Sequence, residues 1–397
     1  MHLNPDLWLQ RPGLPALLAT LDGNAGATRL VGGAVRDWLL RVPVADIDLA
    51  TKLPPDAVLA RLENAGIKAI PTGLQHGTIT AVTHADRYEI TTLRRDVETF
   101  GRHATVAFTD DWREDAARRD FTINALYADP ATGSVADFFD GETDLGSRTL
   151  RFIGDPLQRI AEDHLRILRF FRFSARFSDK LEPLGLAACA ARANDLMTLS
   201  RERIRDELLK LLALPSPVGT VRAMQAHGIL QPVLPELLPG ADALLAELIA
   251  AELRAGAAAD AIRRLAAMLP VDPAGADGLA RRLRLSNSER ERLVAAADRA
   301  SVPADPRALA YAIGAEAALD RMLLTGDSRA AQWRGALQSW QKPRLPISGK
   351  DLIAMGLPPG PQVSRRLGEV EQQWVAAGFP ASRDSAMALA REVLGVR

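Results

Sequence analysis

The stretch 29–51, RLVGGAVRDWLLRVPVADIDLAT, constrains this chain most, because it sets two bare glycines and two bare carboxylates inside one short unit. Arg29, Leu30 and Val31 read as a strand, Gly32 and Gly33 as a turn, and residues 34 to about 41 as a helix. A second strand is expected to carry Asp46 and Asp48. Side chains alternate along a strand, so the two carboxylates share a face while Ile47 enters the core. Neighbouring carboxylates repel and make each other harder to ionise. A divalent cation relieves that repulsion, and an all-oxygen ligand set points to Mg²⁺. The glycines let backbone N–H groups come up against a phosphate, at the positive end of the helix that follows. Arg36, one turn in, is placed to add a charge-assisted contact. A phosphate cradle beside a metal site is what nucleotidyl transfer requires, since metals bridge the attacking hydroxyl and the leaving pyrophosphate. Alone, a glycine pair is usually a tight turn and a DxD a solvated strand end; their order and apolar flanks favour the joint reading.

At 397 residues the chain is long for one core, and two to four domains are expected. Net charge is zero, so any nucleic-acid binding has to come from local arginine faces rather than a global basic field. Cys189 is the only cysteine, which excludes an internal disulfide and a Cys-based zinc cluster and suits a reducing cytoplasm. The N-terminus, MHLNPDLWLQRPG, lacks the pattern of a signal peptide, and no apolar run approaches the roughly twenty residues needed to span a bilayer. A cytoplasmic protein without a membrane partner is expected.

Residues 1–28 read as a helical lead-in, with Leu14, Leu17, Leu18 and Leu21 at helical spacing. A helix is expected over 54–65, then strands at 68–71, 77–83 and 87–93, rich in Ile, Thr, Val and Tyr. Glu89 falls in the third strand, YEITTLRRD; it either completes the metal site beside Asp46 and Asp48 or is an exposed strand glutamate. Residues 94–115 are charged and without clear period, and read as a mobile flap over a nucleotide. In AARRDFTINALYA (116–128), Arg118 and Arg119 suit phosphate, while Asp120 and Asn124 suit ribose hydroxyls; the alternative is an ordinary helix with internal pairs. Residues 137–150 read as a strand and turn closing an α/β head at about 150. Beyond, helix follows helix, with breaks near Pro215, Pro235, 270–275, 303–306 and 343–346.

The segment 162–177, EDHLRILRFFRFSARF, reads as one helix. Asp163, Arg166, Arg169, Arg172 and Arg176 fall on one arc, with Ile167, Leu168, Phe171 and Ala175 facing away. Asp163 and Arg166, as i,i+3 neighbours, can meet a base edge: the carboxylate takes the exocyclic amine of C or A, and the guanidinium donates beside it. Alternatively the two pair with each other on a wet helix face, which contributes little.

These residues carry a resemblance. VGGAVRD (31–37) with DIDLAT (46–51), PTGLQHGT (71–78), RRDFTINALYAD (118–129), DFFDGETD (137–144), GDPLQRIAEDHLRILRFFRF (154–173) and ISGKDLIAMGLPPGP (347–361) resemble the motifs of class II CCA-adding tRNA nucleotidyltransferases and the related bacterial poly(A) polymerases, within the polymerase-β-like superfamily. The resemblance implies an α+β fold: a nucleotidyltransferase head with a mixed sheet (1–150), then an all-α neck (151–215), body (216–300) and tail (301–397), arranged like a seahorse. It implies that Asp46 and Asp48 bind Mg²⁺, that Gly32, Gly33 and Arg36 hold the triphosphate, and that Arg119 and Asp120, with Asn124 close by, contact the nucleotide. Asp163 and Arg166 would template C and A, supported by Arg169 and Arg172, and the tail would hold tRNA with its 3′ end at the DxD. In the flap, many relatives have Asp-Gly-Arg where this chain has Phe100-Gly101-Arg102.

The expected activity is therefore addition of CMP and AMP from CTP and ATP to the tRNA 3′ end, by an enzyme that is a monomer or a homodimer. Rivals are a poly(A) polymerase, an enzyme adding only CC or only A, and a catalytically inactive RNA-binding paralogue. A Rossmann dinucleotide unit is disfavoured, because no G-x-G-x-x-G follows a strand.

Overall fold

The computed structural model describes residues 1–84, 86–100, 103–178, 180–300 and 302–396, with backbone alone at 96–100 and 103–106. These residues form two compact units: residues 1–211 with 219–235, and residues 212–218 with 236–397. The fold is α+β, as expected, and the described strands all lie before residue 138.

The first unit is built on a seven-stranded mixed sheet. Its strands are β1 (Thr28–Val31), β2 (Asp48–Thr51), β3 (Lys68–Gly73), β4 (Thr78–Thr83), β5 (Asp86–Thr92), β8 (Leu126–Ala128) and β9 (Val135–Asp137). They run in the order β3-β4-β5-β2-β1-β8-β9. Only β2 and β5 are parallel; Asp48 stands opposite Glu89 in that pair. Strand alternation splits the core between two faces. Leu30, Leu49, Ile79 and Ile90 pack with Leu14, Leu17, Trp38, Val58 and Leu62 from the helices on one side. Val31, Ala50 and Tyr127 pack with Trp112, Leu93 and Ile153 on the other.

Four local expectations need correction. Residues 94–100 and 103–108 pair as an antiparallel two-stranded ribbon, β6 (Arg94–Phe100) and β7 (His103–Phe108), followed by the helix Trp112–Ala117. A ribbon paired to no other described strand presents no sheet face to a core, so its charged strands lack apolar alternation and read as loop. Within the Phe100-Gly101-Arg102 departure, Gly101, Arg102 and the Phe100 side chain lie outside the described residues. Second, Asp46 is not on a strand: β2 starts at Asp48, which pairs with Val31, and beyond Val31 the partner strand turns away at Gly32. Third, residues 137–150 are largely a turn and the helix Gly141–Gly146. The Asp137 carboxylate accepts the N–H groups of Phe139, Gly141 and Glu142, and so nucleates that helix.

Fourth, residues 162–177 are not one helix. The chain breaks between Pro156–Glu162 and Leu165–Phe177, with Asp163 extended at φ −151° and ψ 105°. Its Oδ1 accepts the Leu165 N–H at 3.1 Å, so a short polar side chain competes successfully with the helix backbone. Arg166, Arg169, Arg172 and Arg176 remain together on the second helix, backed by buried Ile167, Leu168 and Phe171.

Every regular element in the second unit's described residues is a helix. Two of its expected breaks become helix starts: Pro273 and Pro306 open helices whose backbone N–H groups are capped by the Asp272 and Asp305 side chains. It also buries an ion cluster: Arg264 meets Glu252, Arg263 meets both Glu252 and Asp320, and Arg292 meets Asp320. No described helix is long and apolar enough to cross a membrane.

Candidate active site

A cleft of about 800 Å³ in the first unit is lined by every residue singled out above. Asp48 and Glu89 reach it from the sheet, Asp46 from the loop before β2, and Gly32, Gly33 and Arg36 from the turn after β1 and the helix it opens. Arg119, Asp120 and Asn124 reach it from the segment before β8, Asp163 from the break after the helix Pro156–Glu162, and Arg166, Arg169 and Arg172 from the helix Leu165–Phe177.

Gly32 holds φ 70° and ψ −121°, a backbone conformation open in practice only to glycine. A Cβ there would also stand 3.4 Å from the Arg119 guanidinium. Gly33 is the first helical residue, and its lack of a Cβ leaves the turn's backbone bare toward the cleft.

The arginines of the cleft are already committed. Arg36 is 4% exposed; it donates to Asp37 and, at 2.5 Å, to Asn124 Oδ1, and it lies 4.2 Å over the Phe177 ring. Arg119 donates to the Tyr127 hydroxyl, Asp115 and the Asn124 carbonyl. Arg169 grips Asp120 through Nε and a terminal nitrogen at 2.7 and 2.6 Å, while Asn124 and the Phe121 N–H engage the other Asp120 oxygen. Burial alone would raise the Asp120 carboxyl; Arg169 and Asn124 reverse that and hold it below the usual range. Arg172 pairs with Glu207 at 2.5 Å, and Arg176 with Asp37 at 3.1 Å.

Asp163 and Arg166 do not pair with each other. Asp163 accepts from Arg203 at 2.7 Å, and Arg166 donates to Glu162 at 2.5 Å and to the carbonyls of Arg159 and Arg118. The weak surface pair considered from sequence is therefore absent among the described residues.

The acidic residues of the cleft, Asp46, Asp48 and Glu89, are in the opposite condition. Among the described residues no hydrogen bond or ion pair engages the side chains of Asp46, Asp48 or Glu89. Crowding by protein and the facing Glu89 carboxylate push the Asp48 carboxyl up to about 6; Asp46 adds to this and Arg119 opposes it. An uncompensated anionic pocket of this kind fits a cation. The described residues contain no convergent trio of His, Cys, Asp or Glu, so no protein-only metal cage exists there. That suits Mg²⁺, which keeps waters and shares itself between one or two carboxylates and substrate phosphates.

Several residues that hold the cleft escaped sequence reasoning. Lys210 lines it, and Glu207, 5% exposed, anchors Arg172. The signal was there: in RERIRDELLKLL, Glu207 occupies the same helical stripe as Ile204, Leu208 and Leu211, where periodicity asks for an apolar side chain. A carboxylate on a core stripe implies a buried cation facing it.

Comparison with known proteins agrees with this geometry. Residues 28–151 match the family described as the poly A polymerase head domain, and residues 180–240 the one described as a probable RNA- and SrmB-binding site of polymerase A. The chain is 35% identical over 394 residues to human mitochondrial CCA tRNA nucleotidyltransferase 1, covering 94% of this chain and 88% of that one. It is 30% identical over 405 residues to the CCA-adding enzyme of Levilactobacillus brevis, covering 98% of each. The structure of the Bacillus stearothermophilus CCA-adding enzyme in complex with CTP matches with a TM-score of 0.78 at 28% identity, covering 96% of this chain and 98% of that one. Fold, site and matches together define a nucleotidyltransferase with a poly(A)-polymerase-type head. Within that class, the chain belongs to the family of CCA-adding tRNA nucleotidyltransferases.

Proposed function

We propose that the protein adds CMP and AMP from CTP and ATP to the 3′ end of tRNA, completing the CCA sequence and releasing pyrophosphate. Near full-length similarity to relatives named for this reaction, one of them in complex with CTP, supports it. The observation that carries the mechanism is the contrast inside the cleft: carboxylates without partners stand beside arginines that already have theirs.

In this reading Asp46 and Asp48 hold Mg²⁺. When bound, the metal supplies charge neutralisation at the α-phosphate and a lowered pKa for the attacking 3′-OH, so no histidine base is required. Glu89 faces Asp48 and tunes its affinity for cations rather than completing a cage. The bare backbone of Gly32 and Gly33 faces the triphosphate. Arg36, spent on Asp37 and Asn124, orients the Asn124 side chain more than it grips phosphate. Arg119 contacts phosphate, and Asp120 and Asn124 the sugar. Asp163 and Arg166 read the Watson–Crick edge of C and A, with Arg169 and Arg172 held in support. The neck (151–215) reads the base, and the body (216–300) and tail (301–397) hold the RNA. Cys189, buried as a free thiol, suits the reducing cytoplasm as the place of work.

The decisive trial supplies purified protein with tRNA lacking its CCA end and with each nucleotide alone or mixed. CTP alone should give two additions, CTP with ATP three and then a stop, and UTP or GTP none. Long A tracts would make this a poly(A) polymerase; CC or A alone, a partial enzyme. Arg166→Ala should admit UTP.

Metal affinity should depend on pH. The Asp48 carboxyl, raised to about 6, has to shed its proton before it can ligate, so Mg²⁺ binding weakens as pH falls through 6 and releases a proton. Calorimetric Mg²⁺ titration at pH 5 and pH 7.5, in buffers of different ionisation enthalpy, reads both effects. Equal affinity at the two pH values would remove Asp48 from the metal.

A further inference from the structure

Asp115 does not line the cleft, and its side chain is 1% exposed. Its Oδ2 accepts from the Tyr127 hydroxyl at 2.6 Å and from Arg119 at 3.3 Å, while Arg119 Nε donates to the same hydroxyl oxygen at 3.1 Å. A closed triangle of three side chains thus fixes the Arg119 guanidinium on the cleft wall. The other oxygen, Oδ1, accepts from Arg118 Nε at 2.9 Å and from the backbone N–H of Arg94, where β6 begins, at 3.3 Å.

Arg118 passes the constraint on. Its carbonyl accepts from Arg166 at 2.8 Å, and the preceding carbonyl, of Ala117, accepts from Arg159 at 2.9 Å. Glu162 then bridges Arg159 and Arg166, at 2.5 Å to each. The C-terminal end of the helix Trp112–Ala117 therefore receives two guanidinium groups at its exposed carbonyls, a favourable place for cations.

A buried carboxylate is costly unless fully partnered. Here burial opposes ionisation, but Arg119, Arg118 and Tyr127 outweigh it and hold the Asp115 carboxyl at about 2. Such a group stays charged at any working pH, which suits a fixed support and not proton transfer.

We infer that Asp115 is a positioning residue that sets both the nucleotide-facing Arg119 and, through the Arg118 carbonyl, the base-reading Arg166. Phosphate grip and base choice then depend on one buried carboxylate that substrate does not touch. This rests on the roles given above to Arg119 and Arg166.

Asp115→Asn keeps the shape and one acceptor but loses the charge; Tyr127→Phe removes a single hydroxyl. A merely structural defect lowers the active fraction, hence kcat, and leaves KM and the CTP-to-UTP preference unchanged. For Asp115→Asn the KM for CTP should rise about tenfold and the preference for CTP over UTP should fall about tenfold, the scale of one charge-assisted hydrogen bond. Tyr127→Phe should move both in the same direction by less, and it decides the matter if Asp115→Asn does not fold. Arg166→Ala tests the underlying reading: if the preference survives that change, base reading by Arg166 is wrong. If Arg166→Ala relaxes the preference while the two folded variants keep parental KM and preference, the Asp115 inference alone is overturned.

Discussion

Asp48→Asn should lower nucleotide incorporation by about a thousandfold or more while leaving the protein at least as stable as before. Under the proposed function, the loss follows from removing one of the two carboxylates assigned to hold metal at the reacting phosphate, an effect of several kcal/mol on the barrier. The stability result has a separate cause. A carboxyl whose folded-state pKa lies above its unfolded value destabilises the fold once ionised, and the Asp48 carboxyl sits at about 6. Its contribution is therefore favourable below the unfolded pKa and is lost as pH rises through 6. Asn relieves the repulsion from Glu89 and Asp46 and removes no described hydrogen bond. Single-turnover incorporation assays and thermal melts at pH 7.5 measure the two effects. A variant that keeps a tenth of parental activity would refute the catalytic assignment, and one that unfolds would show that Asp48 is structural.

The second large effect belongs to the helical unit. Arg264, 3% exposed, donates to Glu252 at 2.9 and 2.8 Å and to the carbonyls of Leu212 and Leu214 at 2.7 and 2.5 Å. Arg264→Met leaves Glu252, 2% exposed, with Arg263, whose nearest nitrogen lies 3.3 Å from it without hydrogen-bond geometry. An uncompensated buried carboxylate costs about 3–5 kcal/mol, and the two lost carbonyl contacts add to that. Denaturant unfolding should show this as a lowered midpoint. Arg264→Met combined with Glu252→Leu should recover part of it, since an apolar pair of similar volume needs no charge balance. A single-variant loss below about 1 kcal/mol would mean that water reaches the cluster.

Much of the site was legible before any coordinates, and the reason is local. Gly32 needs a positive φ and Ile47 enters the core, both legible from rules acting over a few residues, whereas the pairing that sets Glu89 opposite Asp48 joins distant strands and was one of two readings left open. The four arginines of the helix Leu165–Phe177 keep one side because 3.6 residues make a turn whatever surrounds them. The ribbon of β6 and β7 was not legible, because a lone ribbon lacks the apolar alternation that reveals strands packed on a core. Nor was the break at Asp163, where one side-chain hydrogen bond to Leu165 overrode an otherwise helical pattern.

By itself the sequence singled out the candidate side chains that the fold gathers into one cleft: the acids at 46 and 48, the bare turn at 32–33, and the arginine row that begins at Arg166. Which of those charges are spoken for was decided by tertiary structure alone. Arg169 meets Asp120 from 49 positions away, Arg176 meets Asp37 from 139, and Arg172 meets Glu207 from 35. Coulomb attraction acts through space, so only folding shows which acids are left without a partner. In this protein they are Asp46, Asp48 and Glu89, the acids whose charge a cation would balance.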